Sequence, residues 1–500
     1  MKTSSTGFKV EDTIRQFQPE NLFLLYCLTG NDSFLKEVRQ NIRQNIDQSF
    51  QQVGAQTDPQ TDPQIEAQTE AQTKAQTDQQ IYEQLDQQKL FQYLQRHRLI
   101  PAAYRLLAKQ SSTNHDLSDQ LNSFNESNTA AGLQKNLKDE YLNITKKSLK
   151  NLNALIQTAN LLRKEDIPFL CMKGLPLAMD VYANYTDRDS IDIDLLIDQN
   201  NLNKTHNVLI GNGFKLTENL KNFTPKQFKY FTSVKHSFDY HNPSLRIGLE
   251  LHWQAFNAKA LFPFAFDELY LHKKQIRIGD QVFDTFDPVH NFLYLCLHGS
   301  VHGYYRLFWL QDVYLYFSKY QDKMDWGGFS EIVRKNRLER PVGQSLLLIN
   351  QIYGIPLPEQ PVKILLPQPF SATSRENRIE KERKHPSLKK NYILNEQSSN
   401  NQLIRIPRKD NKIRYYLNTA LTGIDEPEEK LKTRKLGRLR RFYYLLCLKP
   451  DLTYKKQILT SLFVFPKDWQ KIQLPDRLFF VYYLLRPFTW FWEAYIRRQQ

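Results

Sequence analysis

Over Ile191–Ile197 every odd-numbered residue is aliphatic, while Asp192 and Asp194 occupy alternate even positions. In a β-strand successive side chains point to opposite faces, so the two aspartates share one face with Cα atoms about 6.5–7 Å apart. A strand of this kind has few possible homes. Its apolar face must be covered by another layer, and two adjacent acids on one face repel unless a cation or an arginine neutralises them.

The flanking sequence supplies that layer and further strands. Ile167–Met172 reads as a short strand, Lys173 and Gly174 as a turn, and Pro176 as the first turn of a helix running to about Tyr182. Residues 201–210 suit a helix stopped by Gly211 and Gly213, and Val234–Tyr240 with Arg246–Trp253 suit a hairpin turning on His-Asn-Pro-Ser. Helical spacing of leucines recurs over 20–48, 86–108 and 132–164, and apolar runs separated by polar loops extend from Asp287 to Tyr353. The expected fold class is α/β (α+β): a small mixed sheet flanked by N- and C-terminal helical regions.

Five regions follow from these patterns. Residues 1–130 form a helical region interrupted by a Gln/Thr-rich stretch at about 51–80, whose repeated AQT units have too few apolar groups to order themselves. Residues 131–280 form the α/β core, 281–360 a helical region completing a cleft, 361–412 a basic linker, and 413–500 an aromatic-rich basic helical tail. The net charge of +15 is concentrated at the end: residues 361–500 hold 29 Lys/Arg against 13 Asp/Glu. Packing of the tail's aromatic-aliphatic runs onto the body is the first expectation, with contact to an anionic membrane surface as the second reading and nucleic acid as the third. Cys27, Cys171, Cys296 and Cys447 are far apart among apolar neighbours, as reduced core cysteines are, and the first residues lack an export signal. A cytoplasmic location is expected, with peripheral contact at the inner membrane face through the tail as a secondary reading.

The chemistry is concentrated in three segments. Asp192 and Asp194 are spaced to converge on a divalent cation, which substrate phosphates would complete. Glu250 alternates with Leu249 and Leu251 on the later strand and is the natural third acid, as a metal ligand or as the base for an attacking hydroxyl. Lys173 and Gly174 lie in a strand-to-helix turn, where free amides attract phosphate and the lysine adds charge. Arg188 has two uses, neutralising the aspartates or binding a triphosphate. His298 and His302, four apart, share a helical face together with Arg306 and Asp312 downstream; cleft lining, interhelical contacts and zinc are the three readings, and the glutamate of a zinc-protease helix is absent. His252 faces either cleft or core, and Trp253 reads as core.

The order LCMKGLPLAMDVY, RDSIDIDLLI, LELHW and LCLHGSVHGYYRLFWLQDV resembles an uncharacterised bacterial nucleotidyltransferase family, NTP_transf_5, within the superfamily related to DNA polymerase beta. The resemblance spans about residues 85–360. It implies Asp192 and Asp194 as the metal pair, Glu250 as the third acid and Gly174 as the phosphate-loop glycine, with Mg²⁺ or Mn²⁺ as cofactor and an NTP as substrate. The implied reaction is in-line attack of an acceptor hydroxyl on the α-phosphate, the acceptor itself being unspecified. The superfamily's turn usually reads Gly-Ser; here it is Lys173-Gly174-Leu175, without the serine. Two other readings compete: a catalytically silent nucleotide-sensing or scaffold protein on the same fold, and a metal-dependent glycosyltransferase using Asp-x-Asp.

Overall fold

The computed structural model describes residues 86–113, 130–359 apart from 183, 219, 221 and 222, and 435–489 apart from 464–467, 470, 471 and 487, with isolated residues at 25, 29, 415, 417 and 419–421. The expected helices over 20–48, the stretch 51–80 and the linker 361–412 lie almost wholly outside the described residues.

Helices α1 (Gln87–His97) and α2 (Ile100–Thr113) precede the long α3 (Ala130–Lys164), which leads into strand β1 (Phe169–Cys171). Then follow α4 (Leu175–Val181), β2 (Asp192–Ile197), α5 (Leu202–Gly211), β3 (Lys215–Leu216), α6 (Pro225–Val234), β4 (Ser237–Asn242) and β5 (Ile247–His252). Helix α7 (Phe266–Leu271), strands β6 (Lys274–Ile278) and β7 (Gln281–Thr285), and helices α8 (Pro288–Val301), α9 (Leu307–Tyr320), α10 (Trp326–Lys335) and α11 (Glu339–Tyr353) complete the body. In the tail, α12 (Lys435–Leu448) and α13 (Leu452–Phe463) are described.

The strands form one mixed seven-stranded sheet in the order β3-β4-β5-β2-β1-β7-β6. Strand β2 lies at its centre, parallel to β5 and antiparallel to β1. Its period-two pattern divides two cores. Ile193, Leu195 and Ile197 belong to one core with Leu155 and Leu162 of α3, whereas Leu196, on the aspartate face, belongs to the other. That second core is built around α8, which is buried on nearly all sides and packs Phe292, Leu293 and Leu297 among α9 and α11. Each fully buried leucine contributes on the order of 1.5–3 kcal/mol, which fixes the face β2 presents to each layer.

Three features differ from the sequence expectation. Ile191 precedes the strand and is 48% exposed, because β2 begins at Asp192. The β4–β5 turn is Pro243–Arg246, with Asn242 opposite Ile247, so the strands turn two residues later than His-Asn-Pro-Ser implies. The Asn242 side chain accepts from the amides of Ser244 and Leu245, an Asx-type turn that lets β4 continue to Asn242. Finally, the β6–β7 hairpin, closed at Gly279-Asp280, adds two strands beside β1.

The described part of the tail packs on the body. Trp469, Phe479 and Tyr482 join the sheet core, while Tyr444, Leu448 and Tyr454 join the helical one. Among the described residues no helix is long and apolar enough to cross a membrane.

Candidate active site

The parallel register of β2 and β5 assembles the acids. Asp192 lies opposite Gly248, Asp194 opposite Glu250, and Leu196 opposite His252, so both aspartates, Glu250 and His252 project from one face of the sheet. Strand β4 adds a further acid on that face, since Asp239 lies opposite Glu250. Gly248 leaves the space beside Asp192 open: a Cβ there would sit 3.9 Å from that of Asp192. The turn after β1 crosses the same place. The Met172 amide donates to the Asp194 carbonyl at 3.2 Å, and Gly174, at φ 73° and ψ −137°, carries the chain past Asp192 in a conformation that suits only glycine.

Asp194 is the hub. Its Oδ1 is 3.1 Å from Lys173 Nζ and 3.3 Å from His252 Nε2, and His252 Nε2 is 3.2 Å from Glu250 Oε2. Side-chain exposure falls from 32% at Glu250 to 18% at Lys173, 3% at His252 and 1% at Asp194, so the site deepens from a wet rim to a dry floor. At the floor, Asp194 Oδ2 and His252 Nδ1 are buried without a hydrogen-bond partner.

The charges are interdependent. Burial, then the charges of Asp194 and Glu250, push the Asp192 carboxyl up to about 7 against the pull of Lys173. Burial also opposes ionisation of Glu250, but the His252 hydrogen bond and the Lys173 charge outweigh it and hold this carboxyl below its ordinary value. For His252 burial disfavours the cation, yet hydrogen bonds to Asp194 and Glu250 raise it to about 9. Lys173 is likewise desolvated and likewise held charged by Asp194. Without a metal, the acids are thus neutralised by an ammonium and an imidazolium.

The donor set fits a divalent cation. Asp194, Glu250 and His252 each offer one ligand atom, all within 4.8 Å of one another, and the orphaned Asp194 oxygen supplies another acceptor at the floor.

The remaining residues singled out by sequence lie around this centre. Arg188 is 4% exposed and directed at Asp312: Nε to Oδ1 and Nη2 to Oδ2 are both 2.8 Å, and Tyr182 donates to the same Oδ1 at 2.7 Å. Its guanidinium lies 5.2 Å from the Phe308 ring centre, with that of Arg98 4.9 Å from the same ring. His298 and His302 close α8, with ring centres 4.8 Å apart, and His302 stacks on Trp309. Burial, followed by Lys173 for His298 and by Arg441 and Lys173 for His302, keeps both imidazoles uncharged, His302 down to about 3. Trp253 is core, its indole N–H donating to the Thr232 carbonyl at 2.9 Å.

Sequence reasoning missed Asp239 and the Asp312 partner of Arg188. Asp239 had a signal, being on the other arm of a recognised hairpin. The Arg188–Asp312 pair, separated by 124 residues, had none.

Residues 83–354 match a family described as uncharacterised nucleotidyltransferase. No curated protein and no solved structure matches the chain.

Proposed function

The chain belongs to this family of uncharacterised nucleotidyltransferases, and from that premise we propose that it transfers a nucleoside monophosphate from an NTP to an acceptor hydroxyl with the help of a divalent cation. The observation that carries the proposal is the convergence of Asp192, Asp194, Glu250 and His252 on one face across the β2–β5 register.

Asp194, Glu250 and His252 would hold the cation, with Asp192 beside them. When bound, Mg²⁺ or Mn²⁺ neutralises charge on the phosphates and on the leaving pyrophosphate. In the transfer, a bond forms between the acceptor oxygen and the α-phosphorus while the bond from that phosphorus to the pyrophosphate oxygen breaks. The hydroxyl proton passes to a carboxylate; Asp192, which stands beside the ligand set and is partly buried, is the candidate. Lys173 and the Gly174 turn would receive phosphate oxygens, the Lys173 ammonium being paired with Asp194 in this structure and free for that task once a cation took its place. Arg188 acts as a strut that fixes the segment before β2, because Asp312 occupies its fork.

One observation favours a second reading. Lys173 and His252 already balance the acids, so a chain that binds nucleotide without transferring it is a coherent alternative. Doubly wound sheets of the kind that bind nucleotide sugars are parallel, whereas here only β2–β5 and β1–β7 are parallel.

The test uses NTP labelled at the α- or γ-phosphate together with a cell extract as the source of acceptor. Transfer of the α-label, release of the γ-label as pyrophosphate and loss of both with Asp194→Asn are expected. Transfer of the γ-label would make the protein a kinase and sink the assignment.

A further inference from the structure

The tail presents an apolar ridge that the transferase reading leaves unused. Of the exposed large apolar side chains, Phe480 (60%), Leu484 (65%) and Phe488 (73%) recur at intervals of four, which places them on one side of the helical segment 481–486 and its flanks, with Tyr483 (36%) at the edge, where its ring meets Tyr230 at 6.4 Å. Leu478 and Ile472 stand exposed just before them, at 39% and 37%.

This ridge is held in place. On the opposite side Phe479 and Tyr482 are buried with Trp469 against Tyr230, Phe231 and Phe223 of the body. The Tyr482 hydroxyl donates to the Ile472 carbonyl at 2.8 Å and accepts from the Leu474 amide at 2.9 Å and from Gln227 Nε2 at 3.1 Å. Thr224 donates to the Asp476 carboxylate, and Lys226 Nζ donates to its carbonyl at 3.0 Å. A segment fastened by one aromatic face and exposing another is a docking surface, since contiguous exposed apolar area is costly in water.

Charge selects the occupant. Residues 431–500 contain 15 Lys/Arg and four Asp/Glu. Three of those acids are engaged internally: Asp468 pairs with Arg486 at 3.3 Å, Asp451 accepts from the Tyr454 amide at 2.8 Å, and Asp476 accepts from Thr224. The surplus is cationic, and Arg477 and Lys226 are exposed beside Phe479 and Phe480. Aromatic and aliphatic side chains flanked by the exposed Arg477 and Lys226 match the interface of an anionic bilayer. A nucleic acid would use the cations and a ring such as Phe480, but it gains nothing from covering Leu478 and Leu484, which have neither a flat ring to stack on nor a polar group.

We propose that the segment carrying Phe480, Leu484 and Phe488 docks on an anionic phospholipid surface, with these three side chains entering the acyl boundary and Arg477 and Lys226 meeting the headgroups. This docking is independent of the nucleotide site.

The test is co-sedimentation of the full chain with vesicles of phosphatidylcholine alone or mixed with phosphatidylglycerol. The chain should bind the anionic vesicles, and added salt should weaken that binding. F480S/L484S/F488S should reduce it by roughly a hundredfold or more, given the apolar area withdrawn, with an unchanged melting temperature. Leu484→Glu alone should act in the same direction, which covers the case that the triple variant fails to fold. Absence of binding to anionic vesicles, or equal binding by both variants and wild type, would overturn the proposal. So would a wild-type dimer in light scattering that the same substitutions make monomeric, because the ridge would then be covered by a second copy.

Discussion

Replacing Arg188 isolates the strut from the ligand set. The Arg188 and Asp312 side chains are 4% and 2% exposed, and removing the guanidinium leaves the carboxylate buried with the Tyr182 hydroxyl as its remaining partner. An uncompensated buried charge of this kind costs about 3–5 kcal/mol. At roughly 2–4 °C per kcal/mol for a folded unit of this size, Arg188→Met should lower the melting temperature by about 6–20 °C. Arg188→Met with Asp312→Asn removes both charges at nearly constant volume and leaves an amide oxygen for the Tyr182 hydroxyl, so it should recover most of the loss, giving a large coupling in a double-mutant cycle. Denaturant or thermal melts of the four proteins measure this. A shift below about 2 °C for Arg188→Met, or a double variant no better than the single, would refute the strut. The stable double variant should also keep nucleotide-dependent stabilisation; its loss would return Arg188 to the triphosphate.

Three further outcomes follow from the same geometry. Against burial, hydrogen bonds to Asp194 and Glu250 raise His252 to about 9, and burial raises Asp192 to about 7, so both bear protons below those values and a cation held by His252 would displace the imidazole proton. Apparent Mn²⁺ affinity measured by calorimetry should therefore rise from about pH 6 to 9 with proton release, and His252→Asn should flatten the rise; a pH-independent affinity in wild type would exclude His252 as a ligand. Asp180 meets Lys274 at 2.7 Å and Lys319 at 2.9 Å and accepts from the Tyr320 hydroxyl at 2.7 Å. Burial opposes its charge, but the bonds from Lys274, Lys319 and Tyr320 hold its folded-state carboxyl below the ordinary value. Its contribution is therefore present above the unfolded pKa near 3.9 and lost as pH falls through the lower folded value. Asp180→Asn should cost about 1–3 kcal/mol in urea melts at neutral pH, discounted for the half-exposed Lys319, and progressively less below about pH 4; an equal cost at both pH values would contradict the ion-pair account. Gly174→Ala meets no steric wall, since its Cβ would lie 3.8 Å from the Asp192 carbonyl, but it forces a side chain into a positive-φ conformation at about 1–3 kcal/mol. A wild-type melt for this variant would show that the turn relaxes freely.

Legibility in the sequence follows the range of the interactions. Strand β2 and the turn at Lys173-Gly174 were readable because both are set by residues within a few positions of one another, through period-two burial and a proline at the start of α4. Glu250 was readable as an acid among apolar flanks, but its place opposite Asp194 depends on a parallel register between strands some fifty-six residues apart. No local pattern encodes that register. The β6–β7 hairpin did carry a signal, in Ile276 and Ile278 before Gly279-Asp280 with Phe283 after it, weakened because Arg277 and Asp284 give the strands a charged outer face. Arg188 shows the opposite limit. Its position four residues before Asp192 suits a phosphate ligand, whereas Asp312, brought to it by α9, occupies its guanidinium. The basic tail was legible as charge and aromatics. The division between its buried face, at Phe479 and Tyr482, and its exposed face, at Phe480 and Leu484, needed the body against which it packs.

The central claim, that the acids of β2 and β5 form a nucleotide and cation site, is tested most directly by thermal melts with Mg²⁺ or Mn²⁺ and each NTP, run beside D192N/D194N. Stabilisation of the wild type by an NTP only when the cation is present, lost in a variant that still melts cooperatively, is the predicted result. Equal stabilisation of both proteins, or none of the wild type by any NTP, would contradict it.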